Sequence, residues 1–106
     1  MPVVLTDDNY KAFIRLNNEV LIDFSAKWCD PCKELSPRFH KMEQEIKNSN
    51  LKFATVDVED AADMASDFRI ASMPTFVYVR NGKIVCSASG KSACEKLVKE
   101  NFNIIL

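Results

Sequence analysis

Cys29 and Cys32 flank Asp30-Pro31 in the stretch Val20–Lys33, VLIDFSAKWCDPCK. An apolar run of strand type ends just before them, and a helical pattern follows. Three positions apart at a helix start, both sulfurs fall on one side, close enough to join or part with little backbone movement. That spacing makes and breaks disulfides. The attacking species must be a thiolate, whereas a free cysteine titrates near about 8.5. A helix N-terminus favours the anion through its unpaired N–H groups and its dipole. Cys29, outside the helix and expected to be the more exposed, is therefore the attacking thiol. Cys32, one turn in and expected to be the more buried, is the resolving thiol that frees the reduced product.

Two other readings of the pair weigh less. A tetrahedral zinc needs two further ligands, usually a second close Cys/His pair. The only histidine, His40, lies eight residues past Cys32, and Cys86 and Cys94 stand apart. Two reduced core cysteines are the other rival, and the adjacent Trp28 and Pro31 count against it. Asp23 is the second chemical group. Between Leu21, Ile22 and Phe24 it has little room to reach water, and a buried unpaired carboxylate costs several kcal/mol. It should hold its proton near neutral pH, which makes it a candidate proton acceptor for Cys32. The opposing reading is an edge residue that reaches water, or one bonded to a neighbouring strand. Pro74, between Met73 and an apolar strand, has the setting of a cis proline in a tight turn.

The elements around these residues can be read in order. Val3–Leu5 is a short strand. Thr6 has the character of an N-cap, with Asp7 and Asp8 in the first turn, and Tyr10, Phe13, Ile14 and Leu16 form a short apolar stripe ended by Asn17-Asn18. Val20–Ser25 is too uniformly apolar for one wet face and reads as a central strand covered on both sides. Leu35, Phe39, Met42 and Ile46 recur at spacings of four, three and four, one face of a long helix closed by Asn48-Ser49-Asn50. Lys33, Arg38, Lys41, Glu43 and Lys47 take its other face, and Pro37 should kink it. A strand over Leu51–Val58 and a helix over Asp60–Phe68 follow. Thr75–Arg80 and Lys83–Ala88 flank Asn81-Gly82, a strong signal for a two-residue hairpin turn. Ser92-Ala-Cys-Glu95 has the form of a capping box opening a last helix. The order βαβαβαββα predicts an α/β fold with a central mixed sheet and helices on its faces.

With 106 residues, 47% apolar and 27% charged, the chain reads as one globular domain. Its net charge of −1 gives no reason to expect nucleic-acid or anionic-membrane binding. No stretch reaches the roughly 20 apolar residues of a membrane span. The N-terminus MPVVLTDDNY lacks the basic region of a secretory signal. An intracellular, reducing compartment is the expectation, and there a close cysteine pair is catalytic or metal-binding rather than structural.

Taken together, Asp23-Phe-Ser-Ala-Lys-Trp-Cys-Asp-Pro-Cys-Lys33, Pro37, Met73-Pro74-Thr75 and Gly82 resemble the thioredoxin family, and most of all its eukaryotic cytosolic type. The resemblance covers essentially the whole chain. It implies the thioredoxin fold in a single domain over residues 1–106, with Cys29 as nucleophile, Cys32 as resolving cysteine and Asp23 as the acid that assists it. It implies that Pro74 is a cis proline packed on the disulfide and that the Met73 backbone pairs with an extended substrate. Trp28 would shield the site, Gly90 would belong to the substrate-docking loop, and Asp30 and Pro31 would line the same surface. It further implies a monomer in the cytoplasm, with the nucleus as a second location. No bound cofactor is expected, since electrons would come from NADPH through a thioredoxin reductase, and the substrates would be protein disulfides such as those of peroxiredoxins.

Four departures from the family pattern stand out. Asp30 replaces a glycine, and a carboxylate beside Cys29 disfavours its thiolate. Thr55 stands where many relatives place a charged residue, often lysine, beside the buried acid. Cys86 replaces a glycine of the second hairpin strand. Ala61, Phe68 and Ser72 replace the additional cysteines of mammalian members, so regulation by those is not expected, and Cys86 and Cys94 read as packing residues rather than redox switches because free cysteines are commonly buried. Two other functions remain open beside a general reductant that works as enzyme or as electron carrier. One is a specialised redoxin reduced by glutathione or another dithiol, for which Asp30 is the motive. The other is a redox-gated binding subunit using the surface around Trp28, Met73 and Gly90.

Overall fold

A computed structural model describes residues 1–46 and 50–106. The elements run β1 (Val3–Val4), α1 (Tyr10–Leu16), β2 (Glu19–Ser25), α2 (Asp30–Glu45), β3 (Leu51–Asp57), α3 (Ala62–Asp67), β4 (Thr75–Arg80), β5 (Lys83–Ser89) and α4 (Lys91–Phe102). The expected alternation holds element by element. Among the described residues five strands form one sheet in the order β1-β3-β2-β4-β5, with β2 at its centre. β1 and β2 run parallel to β3, whereas β4 is antiparallel to β2 and β5 to β4.

Residues 20–24 of β2 are buried on both faces, as their unbroken apolar character requires. Val20, Ile22 and Phe24 face a core closed by Tyr10 of α1 and Met64 of α3, with Phe68 tilted against Phe24. Leu21 faces the other core, filled by Leu35, Phe39 and Met42 of α2 and by Leu97 and Val98 of α4. Phe39 packs against Phe53 and Phe76 there. The sheet is thus sandwiched between α1 and α3 on one side and α2 and α4 on the other. At the hairpin, Asn81 (φ 52°) and Gly82 (φ 77°) both take positive φ, as a two-residue turn demands.

Helix boundaries departed from the sequence expectation where tertiary contacts claimed the capping side chains. Thr6 does not cap α1. Its hydroxyl accepts the Asp8 N–H and its own N–H donates to Asn9 Oδ1 (2.8 Å), closing a separate turn, so α1 begins at Tyr10. Asp7 is committed elsewhere, since its carboxylate accepts the Met64 N–H (2.9 Å) in the first turn of α3. Ser92 likewise is not an N-cap. α4 starts two residues earlier than a Ser92 cap would give, at Lys91, with Gly90 (φ 95°) as its cap and the Gly90 carbonyl accepting the Cys94 N–H. Leu16 does not join the apolar stripe of α1, because it is 75% exposed. α3 is shorter than the Asp60–Phe68 expectation. α2 ends at Glu45. The expected helix stop at Asn48-Ser49, and Lys47 on its outer face, lie outside the described residues. Val85 is the extra residue of a bulge beside Cys86, since Cys86 pairs with Tyr78 and Ile84 with Val79. The bulge interrupts the strict alternation, and Ile84 and Val85 are both exposed on the edge strand.

Candidate functional site

The chain leaves β2 at Ser25 and enters α2 at Asp30, so Cys29 is the N-cap and Cys32 lies in the first turn. Pro31 fits the start of the helix, where its missing N–H costs nothing. Cys29 and Cys32 form a disulfide, with Cα atoms 5.3 Å apart. The Cys32 N–H donates to Cys29 Sγ at 3.2 Å, which singles out Cys29 as the sulfur that the helix end can stabilise as an anion. The expected difference in exposure is not found. Cys29 is 4% and Cys32 3% exposed, because Ala26, Val58 and Met73 close over both when they are bonded to each other. The distinction between the two thiols rests on helix position.

Asp23 lies on the sheet face that α2 covers and is 1% exposed. Thr55 of β3 and Phe76 of β4 are its register neighbours. Ser36 Oγ donates to its Oδ2 at 3.5 Å, and Oδ1 is buried with no hydrogen-bond partner among the described residues. No described cation forms an ion pair with it. Burial pushes its pKa from 3.8 to about 7, with the Ser36 hydrogen bond pulling weakly the other way. The opposing reading of an edge carboxylate is excluded by its central strand.

Pro74 reaches the site through strand direction. Because β4 is antiparallel to β2, its first residue, Thr75, pairs with Phe24 at the end of β2 that leads to the cysteines. The Met73–Pro74 bond is cis. The Gly90 N–H donates to the Pro74 carbonyl (2.8 Å), and Thr75 Oγ1 bonds the Ser72 carbonyl (2.7 Å), fixing the turn from both sides. Trp28 is 64% exposed beside the disulfide, a large apolar surface of the kind that receives a partner. Asp30 is also out in solvent, with Lys33 Nζ 3.6 Å from its carboxylate. Val58 and Ser36 were not singled out from the sequence. The signals are present: Ser36 follows Cys32 by four positions on the helix, and Val58 directly follows β3, which runs parallel to β2.

Cys94 is fully buried, its Sγ 3.4 Å from the Ala88 carbonyl, and burial pushes its thiol up to about 12. A thiol so far from its thiolate form is inert. Native protein should therefore resist alkylation at Cys94 until denaturant is added, and Cys94→Ala should cost about 1 kcal/mol in a urea melt. Cys86, half-buried on β5, is shifted upward by burial too. Among the described residues no group of three or more His, Cys, Asp or Glu side chains is placed to hold a metal ion. No described helix is long and apolar enough to cross a membrane.

Comparison with known proteins agrees with this geometry. The family model described as Thioredoxin matches residues 1–101. Thioredoxins of Sus scrofa and Homo sapiens are each 45% identical over 78 residues, covering 74% of this chain and 71% of their own. That of Coprinus comatus is 36% identical over 99 residues, covering 89% and 93%. Among solved structures, Plasmodium falciparum thioredoxin superposes with a TM-score of 0.82 at 28% identity, covering 93% of this chain and 98% of that one. Oxidized mitochondrial thioredoxin 3 of Saccharomyces cerevisiae gives 0.79 at 30% identity, covering 93% and 94%. Sequence, fold and the bonded cysteine pair converge: the chain belongs to the thioredoxin family and is a dithiol–disulfide oxidoreductase.

Proposed function

We propose that this protein is a general reductant of protein disulfides, with Cys29 as nucleophile, Cys32 as resolving thiol and Asp23 as the group that exchanges a proton with Cys32. The observation that carries this reading is the Cys29 cap of α2, whose sulfur accepts the Cys32 N–H. In the reduced protein the Cys29 thiolate attacks one sulfur of a substrate disulfide, forms a mixed disulfide and expels the first substrate thiolate. Cys32 passes its proton to the Asp23 carboxylate and attacks Cys29 Sγ. The bond from Cys29 to substrate breaks, the Cys29–Cys32 bond forms, and the second substrate thiolate leaves. The substrate gains two electrons and the protein loses two. Trp28, Asp30, Pro31, Met73, Pro74 and Gly90 form the surface that receives the substrate, the Met73 backbone pairing with its extended chain.

The donor in this reading is an NADPH-dependent thioredoxin reductase, with no cofactor held by the chain itself. The substrates include peroxiredoxins, and the protein works as a monomer in the cytoplasm and nucleus. Support for the substrate class comes from a related solved structure. That structure concerns thiol resolution in a yeast mitochondrial 1-Cys peroxiredoxin via glutathione and thioredoxin systems, and it matches with a TM-score of 0.80 at 30% identity. Insulin reduction driven by NADPH and thioredoxin reductase tests the assignment and is expected to proceed at catalytic protein concentrations. Turnover with glutathione alone would replace the general role by a dedicated one. Tight capture of a partner without turnover would favour a binding subunit.

Asp30 is the observation that favours a narrower partner set. Its carboxylate is 92% exposed next to Cys29 and repels acidic partners. Asp30→Asn is expected to lower the Cys29 pKa by about half a unit at low salt, with less effect as salt screens the charge. The same change raises the reduction potential by roughly 15 mV where Cys29 is ionised. Thiolate absorbance and equilibration with glutathione measure the two quantities, and coincident curves for the two proteins would refute the effect.

A further inference from the structure

Asp23 can accept a proton from Cys32 only if it has first given its own to solvent, and its carboxyl is sealed from water. Oδ1 is buried without a partner among the described residues, and Thr55 and Phe76 flank it along the sheet. Oδ2 accepts a hydrogen bond from Ser36 Oγ at 3.5 Å. Ser36 follows Cys32 by four residues on α2 and so occupies the same helix face, one turn on. Half-buried, Ser36 also lines an open groove of about 560 Å³ with Lys33, Pro37 and His40. Pro37, inside α2, has no amide to bond the Lys33 carbonyl one turn back. A hydroxyl donates and accepts at once, so it can take a proton on one side while releasing another on the other.

We propose that Ser36 is the proton exit of the site, linking the buried Asp23 carboxyl to water in the groove beside Lys33, Pro37 and His40. This rests on the reading of Asp23 as proton acceptor for Cys32. In the step assigned to Ser36, protonated Asp23 gives its proton to Ser36 Oγ, and the Ser36 hydroxyl proton passes to groove water. The carboxylate and the neutral hydroxyl are restored, with no change in oxidation state. Besides Cys32, its proton donor in the reading above, the described titratable group that interacts with Asp23 is Cys94 on α4. Burial keeps Cys94 protonated up to about 12, so it does not compete near neutrality.

The test uses the reduced full-length protein and a nitroaromatic disulfide that releases one coloured thiolate at each of the two steps. This substrate needs no protein partner, so the outcome does not depend on which disulfides the protein reduces in the cell. Ser36→Ala is expected to leave the first phase, attack by Cys29, unchanged. It should slow the second, Cys32-dependent phase roughly tenfold near neutral pH. It should also move the Asp23 carbon-13 titration midpoint above that of the wild type, because the lost hydrogen bond favoured the carboxylate. Ser36→Thr, which keeps a hydroxyl, should restore both. In an Asp23→Asn background Ser36→Ala should add nothing to the second phase. An unchanged second phase, an unmoved midpoint or a defect that threonine does not rescue overturns the proposal. If Asp23→Asn itself leaves the second phase unchanged, the acceptor role of Asp23 fails instead, and the proton exit with it.

Discussion

Cys32→Ser is expected to stop the reaction halfway, leaving a protein substrate covalently attached through Cys29, whereas Cys29→Ser should neither capture substrate nor turn over. Both changes remove one sulfur and both should abolish insulin reduction down to the uncatalysed rate, so loss of turnover alone does not assign the roles. The trapped intermediate does. Cys29 caps α2 and accepts the Cys32 N–H, so its thiolate is stabilised before any substrate arrives. Cys32 lies inside the helix and acts only on the mixed disulfide. A non-reducing gel, with the adduct released by dithiothreitol, reads the outcome. An adduct formed by Cys29→Ser instead would reverse the assignment.

Asp23→Asn is expected to make the protein slower and more stable at the same time. The carboxyl titrates at 3.8 when unfolded and at about 7 when folded, because burial penalises its charged form. Between those values the folded state binds the proton and the unfolded state does not, so stability falls as pH rises through that window. Below about pH 3 both states are protonated and the carboxyl costs nothing, so the variant and the wild type should be equally stable there. Above about pH 8 both are ionised and the folded state carries the whole penalty, up to about 4 kcal/mol at 1.36 kcal/mol per unit. Asparagine has no charge to bury and escapes it. Urea melts of the oxidised proteins across this range separate the Asp23 contribution from thiol ionisation, and a gap that stays constant with pH would contradict the raised pKa. In kinetics the same variant should slow the Cys32-dependent phase by about 10–100-fold and remove a rise in rate centred near the Asp23 pKa. A residue kept at such a cost in stability is a mark of function rather than of packing.

What the sequence determined by itself is what short-range chemistry encodes. The spacing of Cys29 and Cys32, the unbroken apolar strand around Asp23 and the Asn81-Gly82 turn each depend on neighbours a few residues away. The order of elements followed from such signals, and so did the burial of Asp23, since β2 has no polar alternation that could give it a wet face. Helix starts were less legible. Thr6 and Ser92 carry the right hydroxyls, but a cap is decided by whichever backbone amide the folded chain brings near. Asp7 went to α3, and Gly90 took the cap of α4.

Only the tertiary structure decided what surrounds the disulfide. The antiparallel course of β4 carries Pro74 to the cysteines, and the packing of α2 on the sheet sets Ser36 against Asp23. The same closure, by Val58 and Met73, gives Cys29 and Cys32 equal shelter where helix position alone had suggested unequal exposure. Those contacts join residues far apart in the chain. Their geometry follows from strand direction and layer packing, which no local pattern of residues specifies.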